Sequence, residues 1–238
     1  MKNAVDPIEQ VRARGATVDY VLNHVRDGIF EGRYAPGQRL IEADLTRELG
    51  VSRGPLREAL HRLAGDNLLE IVPNRGAIVR RHSMREMLER FSIRIALECL
   101  AVREATANLA DTAVRVRFEN DIKPIWQTEQ RTPSSDYIAE NKAFHDAIIR
   151  ASGNETLAGI TNQLQLPLLM YQLNRRLTVG NITASLAEHR AIATAMLKGD
   201  AASAEAGMRR HLDRARAVAG EMPQRVFRAD GYNRFRQT

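Results

Sequence analysis

The chain has 238 residues, 44% of them hydrophobic and 27% charged, a balance that supports one large or two ordinary globular domains and excludes a disordered chain. No apolar run approaches the ~20 residues needed to cross a bilayer, and the start, Met-Lys-Asn-Ala-Val-Asp-Pro, lacks the apolar core of a signal peptide. The net charge of +6 favours an anionic partner, the 5% aromatic content counts against base-stacking platforms for single strands, and a lone cysteine, Cys99, excludes an internal disulfide and suits a reducing cytoplasm.

Residues 1–15 are polar and unpatterned and are expected to form a flexible N-terminal arm. A helix follows, with Val18, Val21, Leu22, Val25, Ile29 and Phe30 at helical spacing, ending at Gly32 before a Tyr34–Gly37 turn. A short second helix, Glu42 to Leu49, closes at Gly50. Across a tight turn the next helix carries Leu56, Ala59, Leu60 and Leu63 at i, i+3, i+4 and i+7, one apolar stripe that leaves Arg53, Gly54, Arg57 and His61 facing elsewhere. Ser52 is placed to cap it, and Pro55 is tolerable in a first turn whose amides have no intrahelical partner. Two β-prone runs, Leu68–Val72 and Ala77–Arg80, flank the turn Pro73-Asn74-Arg75-Gly76 and predict a hairpin. Helix, helix-turn-helix and hairpin within ~65 residues is the layout of a winged helix that reads double-stranded DNA.

This segment resembles the N-terminal domain of GntR-type bacterial transcription regulators. The carrying residues are Pro36-Gly37, Leu49-Gly-Val-Ser-Arg53, Pro55, Arg57-Glu-Ala-Leu60 and Arg75-Gly76. The resemblance implies that Ser52, Arg53, Gly54 and Arg57 face DNA from the recognition helix, with Arg75 and Gly76 at the wing. Gly54 stands where many members have Thr, and Ala43 where some carry an Arg, so the operator contacts depart from the common set.

Beyond residue 82 no strand is predicted, and the pattern is an all-α bundle. Ser83-Met-Arg-Glu86 is a capping box opening a helix to about Leu109; further helices are expected over 111–126, 135–151 and from Asn154, with a break near Pro167. Ser185-Leu-Ala-Glu188 is read as a second capping box that opens a helix ending at Lys198-Gly199, and Asp200 caps a last helix to about Gly220. The inward stripes of the last three long helices contain polar residues: Asn141 and His145 among Tyr137, Phe144 and Ile148; His189 among Leu186, Ala193 and Met196; His211 among Ala204, Met208 and Ala215. A core imidazole bonded to a carbonyl explains any one histidine; three from facing helices also fit a site for a borderline divalent ion. Arg94 is open between a surface pair with Glu98, one turn on, and an inward fork for a carboxylate.

This half is similar to the FCD-type ligand-binding domain of the FadR-like GntR subgroup, on the residues Asn141-Lys-Ala-Phe-His145, Glu188-His-Arg190, Met208-Arg-Arg-His211 and Arg94-Ile-Ala-Leu97-Glu98. The resemblance implies a divalent transition metal, Zn²⁺ or Ni²⁺, on Asn141, His145, His189 and His211, with Asn in place of the more common Asp, and an effector-contacting Arg94. The expected molecule is mainly α: a winged helix-turn-helix with a small β-hairpin wing over 16–81, an all-α FCD-like effector and metal domain over 82–222, and a basic C-terminal tail over 223–238. It is expected to be a cytoplasmic homodimer on a pseudo-palindromic operator, without membrane contact, and more a repressor than an activator, responding to a small carboxylate. Two other readings are a metal-responsive regulator and a metal-dependent hydrolase; no HExxH-like pair places a general base beside the histidines, which argues against an enzyme.

Overall fold

The computed structural model describes residues 7–73, 76–127, 135–174 and 176–229. The chain divides into two compact units, one of residues up to Arg81 with Gln165–Leu168, the other of His82–Leu164 with the residues from Leu169 onward.

The first unit contains α1 (Pro7–Glu31), β1 (Arg39–Leu40), α2 (Glu42–Leu49), α3 (Arg53–Gly65), β2 (Leu69–Val72) and β3 (Gly76–Val79). Helix α1 begins at Pro7, so the second half of the stretch expected as an arm is helical; proline is well suited to a first helical position. Val18, Val21, Val25 and Ile29 of α1 bury against Leu56, Ala59, Leu60 and Leu63 of α3, the stripes that the 3.6-residue period predicts. Gly50 adopts φ 64°, and the Val51 amide bonds the Thr46 carbonyl, which turns the chain sharply between α2 and α3. Gly65 stays helical; Asn67 takes the left-handed turn at φ 58°, with Leu68 N bonded to Leu63 O and Asn67 N to Ala64 O.

The hairpin pairs Leu69 with Val79 and Ile71 with Ala77. The sequence pattern does not predict β1, which pairs with β3 and makes a three-stranded sheet of order β1-β3-β2. Two residues cannot display a period-2 pattern, so nothing local marks this strand.

The second unit is helical: α4 (Met84–Asn108), α5 (Thr112–Ile122), α6 (Ser135–Ala151), α7 (Glu155–Gln163), α8 (Pro167–Asn174, in this unit from Leu169 onward), α9 (Val179–Leu197) and α10 (Ala201–Gly220). Pro124 sits in a 3-10 turn, Lys123–Trp126, which ends the helix expected to reach Trp126. Helix α4 packs against both α6 and α10, and α9 packs on α10, which brings the histidine-bearing faces of three helices together. Phe144, Ile148, Ile192, Met196, Met208 and Leu212 form the surrounding core with Phe118 and Ile122.

Capping is explicit at most starts. Ser83 and Glu86 form the predicted reciprocal box, at 3.1 and 2.8 Å, and Asp200 accepts from Ser203 N at 3.0 Å. The box expected at Ser185–Glu188 is not a helix start. Helix α9 opens two turns earlier, where Thr178 and Asn181 cap each other. An Asn does here what Glu or Gln usually does, while Ser185 is buried inside the helix and Glu188 serves other partners. The expected tail also begins as packed structure: Phe227 is buried, and Arg228 donates to Glu86 at 2.6 Å beside the start of α4. No helix among the described residues is long and apolar enough to cross a membrane.

Candidate metal centre

His145 comes from α6, His189 from α9 and His211 from α10, and all three are buried. One imidazole nitrogen from each lies within 4.8 Å of the others. His211 is the hub: its Nε2 is 3.2 Å from His189 Nε2 and 3.3 Å from His145 Nε2. Phe144, next to His145, stacks on the His189 ring at 4.1 Å between centroids, which sets the plane of that ligand.

Behind two of the rings lie carboxylates that sequence reasoning did not place there. Glu98 on α4 accepts from His145 Nδ1 at 2.5 Å, and Glu188 on α9 accepts from His211 Nδ1 at 2.7 Å. Each carboxylate also receives an arginine. Arg94 donates to Glu98 Oε1 through Nε at 3.0 Å and Nη2 at 2.8 Å; Arg214 bridges both Glu188 oxygens at 2.6 and 2.7 Å. The i, i+4 pair of Arg94 and Glu98 therefore exists, but it is buried and faces inward rather than lying on the surface. The spacing Arg94/Glu98 was a usable signal, as was Glu188 beside His189; Arg214, three residues past His211, had none.

Burial alone would raise the pKa of both glutamates. For Glu98, the Arg94 guanidinium and the hydrogen bonds from His145 and Arg94 overcome it and hold the carboxyl well below the usual range; for Glu188, hydrogen bonds from His211 and Arg214 bring it to about 2. An ionised carboxylate only accepts, so Nδ1 of His145 and of His211 carries a proton, and Nε2 of each ring is the nitrogen turned toward the other histidines. The Nε2 atoms of the two rings face each other at 3.3 Å. A metal ion among them would be bound through the lone pair of each unprotonated Nε2. Imidazole nitrogens at about 2.0–2.1 Å from a tetrahedral ion would stand roughly 3.3 Å apart, close to the two spacings that His211 makes, and all three lie within 4.8 Å of one another, so the histidines fit a borderline divalent metal.

Protons do not fill this role. Burial and the neighbouring rings push His189 well below its ordinary 6.5; burial also lowers His211, against the opposing hydrogen bond to Glu188. Histidines with depressed folded-state values bind fewer protons folded than unfolded, so their full contribution is present above pH 6.5 and is lost as pH falls below it. Metal-free protein should show a flat melting temperature from pH 8 to 7 and a decline below 6.5. Each histidine costs up to about 1.4 kcal/mol per pH unit there, as thermal unfolding across the range would measure.

Asn141 lies one turn before His145 on α6 and is half-buried. Cys99 is buried in the bundle core as a small apolar residue, with its Sγ 3.8 Å from the Glu205 carbonyl oxygen.

In the first unit, Ser52, Arg53, Gly54 and Arg57 are all exposed at the start of α3. Ser52 occupies the N-cap position with extended backbone, yet its side chain makes no capping bond, contrary to the expectation for it. The first-turn amides of α3 are left without that partner. Arg57 is not free on its face: Nε donates to Glu42 of α2 at 2.9 Å, with the arginine side chain 59% exposed. Nothing lies within 4 Å of a Cβ built on Gly54, so the site has room for the Thr of other members. Gly76 opens β3 at φ 79°, a left-handed conformation that suits glycine at the wing tip. Arg75 lies outside the described residues.

Comparison with known proteins agrees on both units. Residues 17–79 match the model of bacterial regulatory proteins of the gntR family, and residues 86–214 match the FCD domain. The HTH-type transcriptional regulator BphR of Paraburkholderia xenovorans (strain LB400) is 30% identical over 216 residues, spanning 87% of this chain and 85% of that protein. The HTH-type transcriptional repressor GlaR of Escherichia coli (strain K12) is 27% identical over 197 residues, 79% of this chain and 89% of its own. The structure of E. coli McbR/YncC superposes with a TM-score of 0.67 over 85% of this chain and 96% of that one, at 23% identity, and shares the fold. The chain belongs to the gntR family of DNA-binding transcription regulators, with a winged helix-turn-helix joined to an FCD domain.

Proposed function

We propose that this regulator holds a divalent transition ion, Zn²⁺ or Ni²⁺, on His145, His189 and His211 with Asn141 Oδ1 as a further ligand, and that a small carboxylate bound there controls its operator affinity. The observation that carries the reading is the convergence of three buried imidazoles at ligand spacing. Every protein ligand in this set is neutral, and Glu98 and Glu188 are each balanced by an arginine. A bound dication therefore keeps its charge, which favours an anion at an open position. Arg94 contributes to the same field, and its Nη1 remains for an effector oxygen once Nε and Nη2 are on Glu98. When bound, the ion would supply a Lewis-acidic anchor; the chain's own residues orient the ligand rings and exclude water.

On the DNA side, the uncapped start of α3 with Ser52, Arg53 and Gly54 exposed suits a phosphate, and Arg57 suits a base edge or phosphate in the major groove. Arg75 and Gly76 would extend the interface from the wing. Repressors among the relatives, GlaR and RspR of E. coli, favour relief of repression by the effector. The proposed assembly is a cytoplasmic homodimer on a pseudo-palindromic site, and the exposed Leu88 and Ile93 of α4 offer apolar surface to a second copy.

A metal-responsive regulator is the second reading, favoured by histidines whose buried rings stay neutral and ready for an ion near pH 7. Glu98 and Glu188 lie at Nδ1, behind the rings, and neither faces the Nε2 side where a base for hydrolysis would be needed. Thermal-shift screening of metal-loaded protein against small carboxylates, followed by operator titration, decides between the regulators. A true effector at 100 times its Kd stabilises by about 2.7 kcal/mol and shifts DNA affinity. If metal alone shifts DNA affinity and no acid does, the ion is the signal.

A further inference from the structure

We propose that Glu98 and Glu188 are positioning residues for the metal centre, each holding one ligand imidazole by Nδ1 so that Nε2 faces the ion, and each anchored by its own arginine, Arg94 or Arg214. The inference rests on the metal reading above and deepens it. Its ground is a repeated arrangement on unrelated elements. Arg94 and Glu98 of α4 hold His145 of α6; Arg214 of α10 and Glu188 of α9 hold His211 of α10. Glu98 is 1% exposed and Arg94 9%, so a buried charge pair is maintained directly behind a ligand. Such a pair contributes little net stability relative to apolar packing of the same volume, which makes a positional role the better account of it.

The geometry has two consequences. First, each carboxylate is already neutralised by guanidinium before any cation arrives, so neither has to move or lose a counter-charge when the ion binds; the rings are set in advance. Second, the three ligands are not equivalent. His145 and His211 are fixed by carboxylates, whereas His189 has no carboxylate partner among the described residues and is held by its stack on Phe144. Two ligands form a rigid pair and the third adjusts to the ion. The arrangement also gives Arg94 a role that needs no effector: it fixes Glu98.

The test uses the full chain, stripped with chelator, and measures Zn²⁺ affinity by competition with a chromophoric chelator and the Co²⁺ absorption spectrum. Glu188→Gln and Glu98→Gln should each lower affinity 10- to 100-fold and alter the Co²⁺ spectrum. Glu205→Gln is the control: Glu205 of α10 pairs with Arg103 and Arg209 but with no histidine, and its replacement should leave affinity unchanged. Because Glu98→Gln strands the buried Arg94, folding is checked by circular dichroism, and Glu188→Gln, whose pair is partly exposed, decides the matter if the first variant does not fold. Nitrogen-15 spectra of labelled histidine in metal-free wild type should show His145 and His211 as Nδ1–H tautomers, with His211 losing that exclusivity in Glu188→Gln. Unchanged affinity in Glu188→Gln, or an Nε2–H tautomer at His211 in the wild type, overturns the positioning role and leaves the metal reading standing. Wild-type protein that takes up neither Zn²⁺ nor Co²⁺ overturns the metal reading and the positioning role together.

Discussion

His211→Ala should cut metal affinity by a factor of roughly a hundred or more while leaving the metal-free protein folded. His211 is the ring that touches both other ligands, and its Nδ1 is the one held by Glu188. A zinc site of four ligands is worth about 10–16 kcal/mol in total, so one ligand carries on the order of 3 kcal/mol, or two decades in affinity. In the metal-free state the balance is different. Removing the ring opens a cavity in a closely packed bundle, which destabilises. It leaves Glu188 still paired with Arg214, which limits the loss. Melting curves with and without Zn²⁺ separate the effects: the wild type should gain about 2.7 kcal/mol at 100 times its Kd, and the variant almost none at the same concentration. A variant that retains the full metal-dependent shift would remove His211 from the ligand set.

How much of this is legible in the sequence depends on the distance over which each interaction acts. The stripes of α1, α3, α6, α9 and α10 repeat every 3.6 residues, so their buried faces, and with them the inward placement of His145, His189 and His211, follow from local spacing. Gly50 and the box at Ser83 are likewise local, and the structure has both. The start of α9 is misplaced by the local pattern because Ser185 and Glu188 match a capping box by type, while both are recruited by tertiary partners that no window of four residues can show. The carboxylates behind the ligands are the larger omission. Glu98 and His145 are 47 positions apart, and Glu188 and His211 are 23 apart. Their pairing is set by how α4 packs on α6 and α9 on α10, so a chain read in order shows an i, i+4 ion pair at Arg94 and leaves its burial undetermined.

Arg57→Ala tests the opposite end of the molecule. It should reduce specific operator binding by roughly 30- to 10⁴-fold and change the fold hardly at all. The side chain is 59% exposed and its one described partner is Glu42, an exposed ion pair worth about 0–1 kcal/mol, so stability should be nearly unaffected. A single arginine fork on a guanine edge is worth about 1–3 kcal/mol; in the proposed dimer the loss occurs at both half-sites and doubles, which corresponds to roughly 30- to 10⁴-fold in affinity. If Arg57 reaches only phosphate, binding weakens uniformly across sequences instead, and the slope of log affinity against log salt falls by about one for each phosphate that the variant leaves unneutralised. Glu42→Gln should act in the reverse direction, because it frees the Arg57 guanidinium and removes a negative charge from the face that meets DNA. Measured by fluorescence anisotropy on operator and scrambled duplexes at two salt concentrations, the pair of variants tells base reading from phosphate anchoring. Retention of specific, high-affinity binding by Arg57→Ala would mean that α3 is not the reading helix.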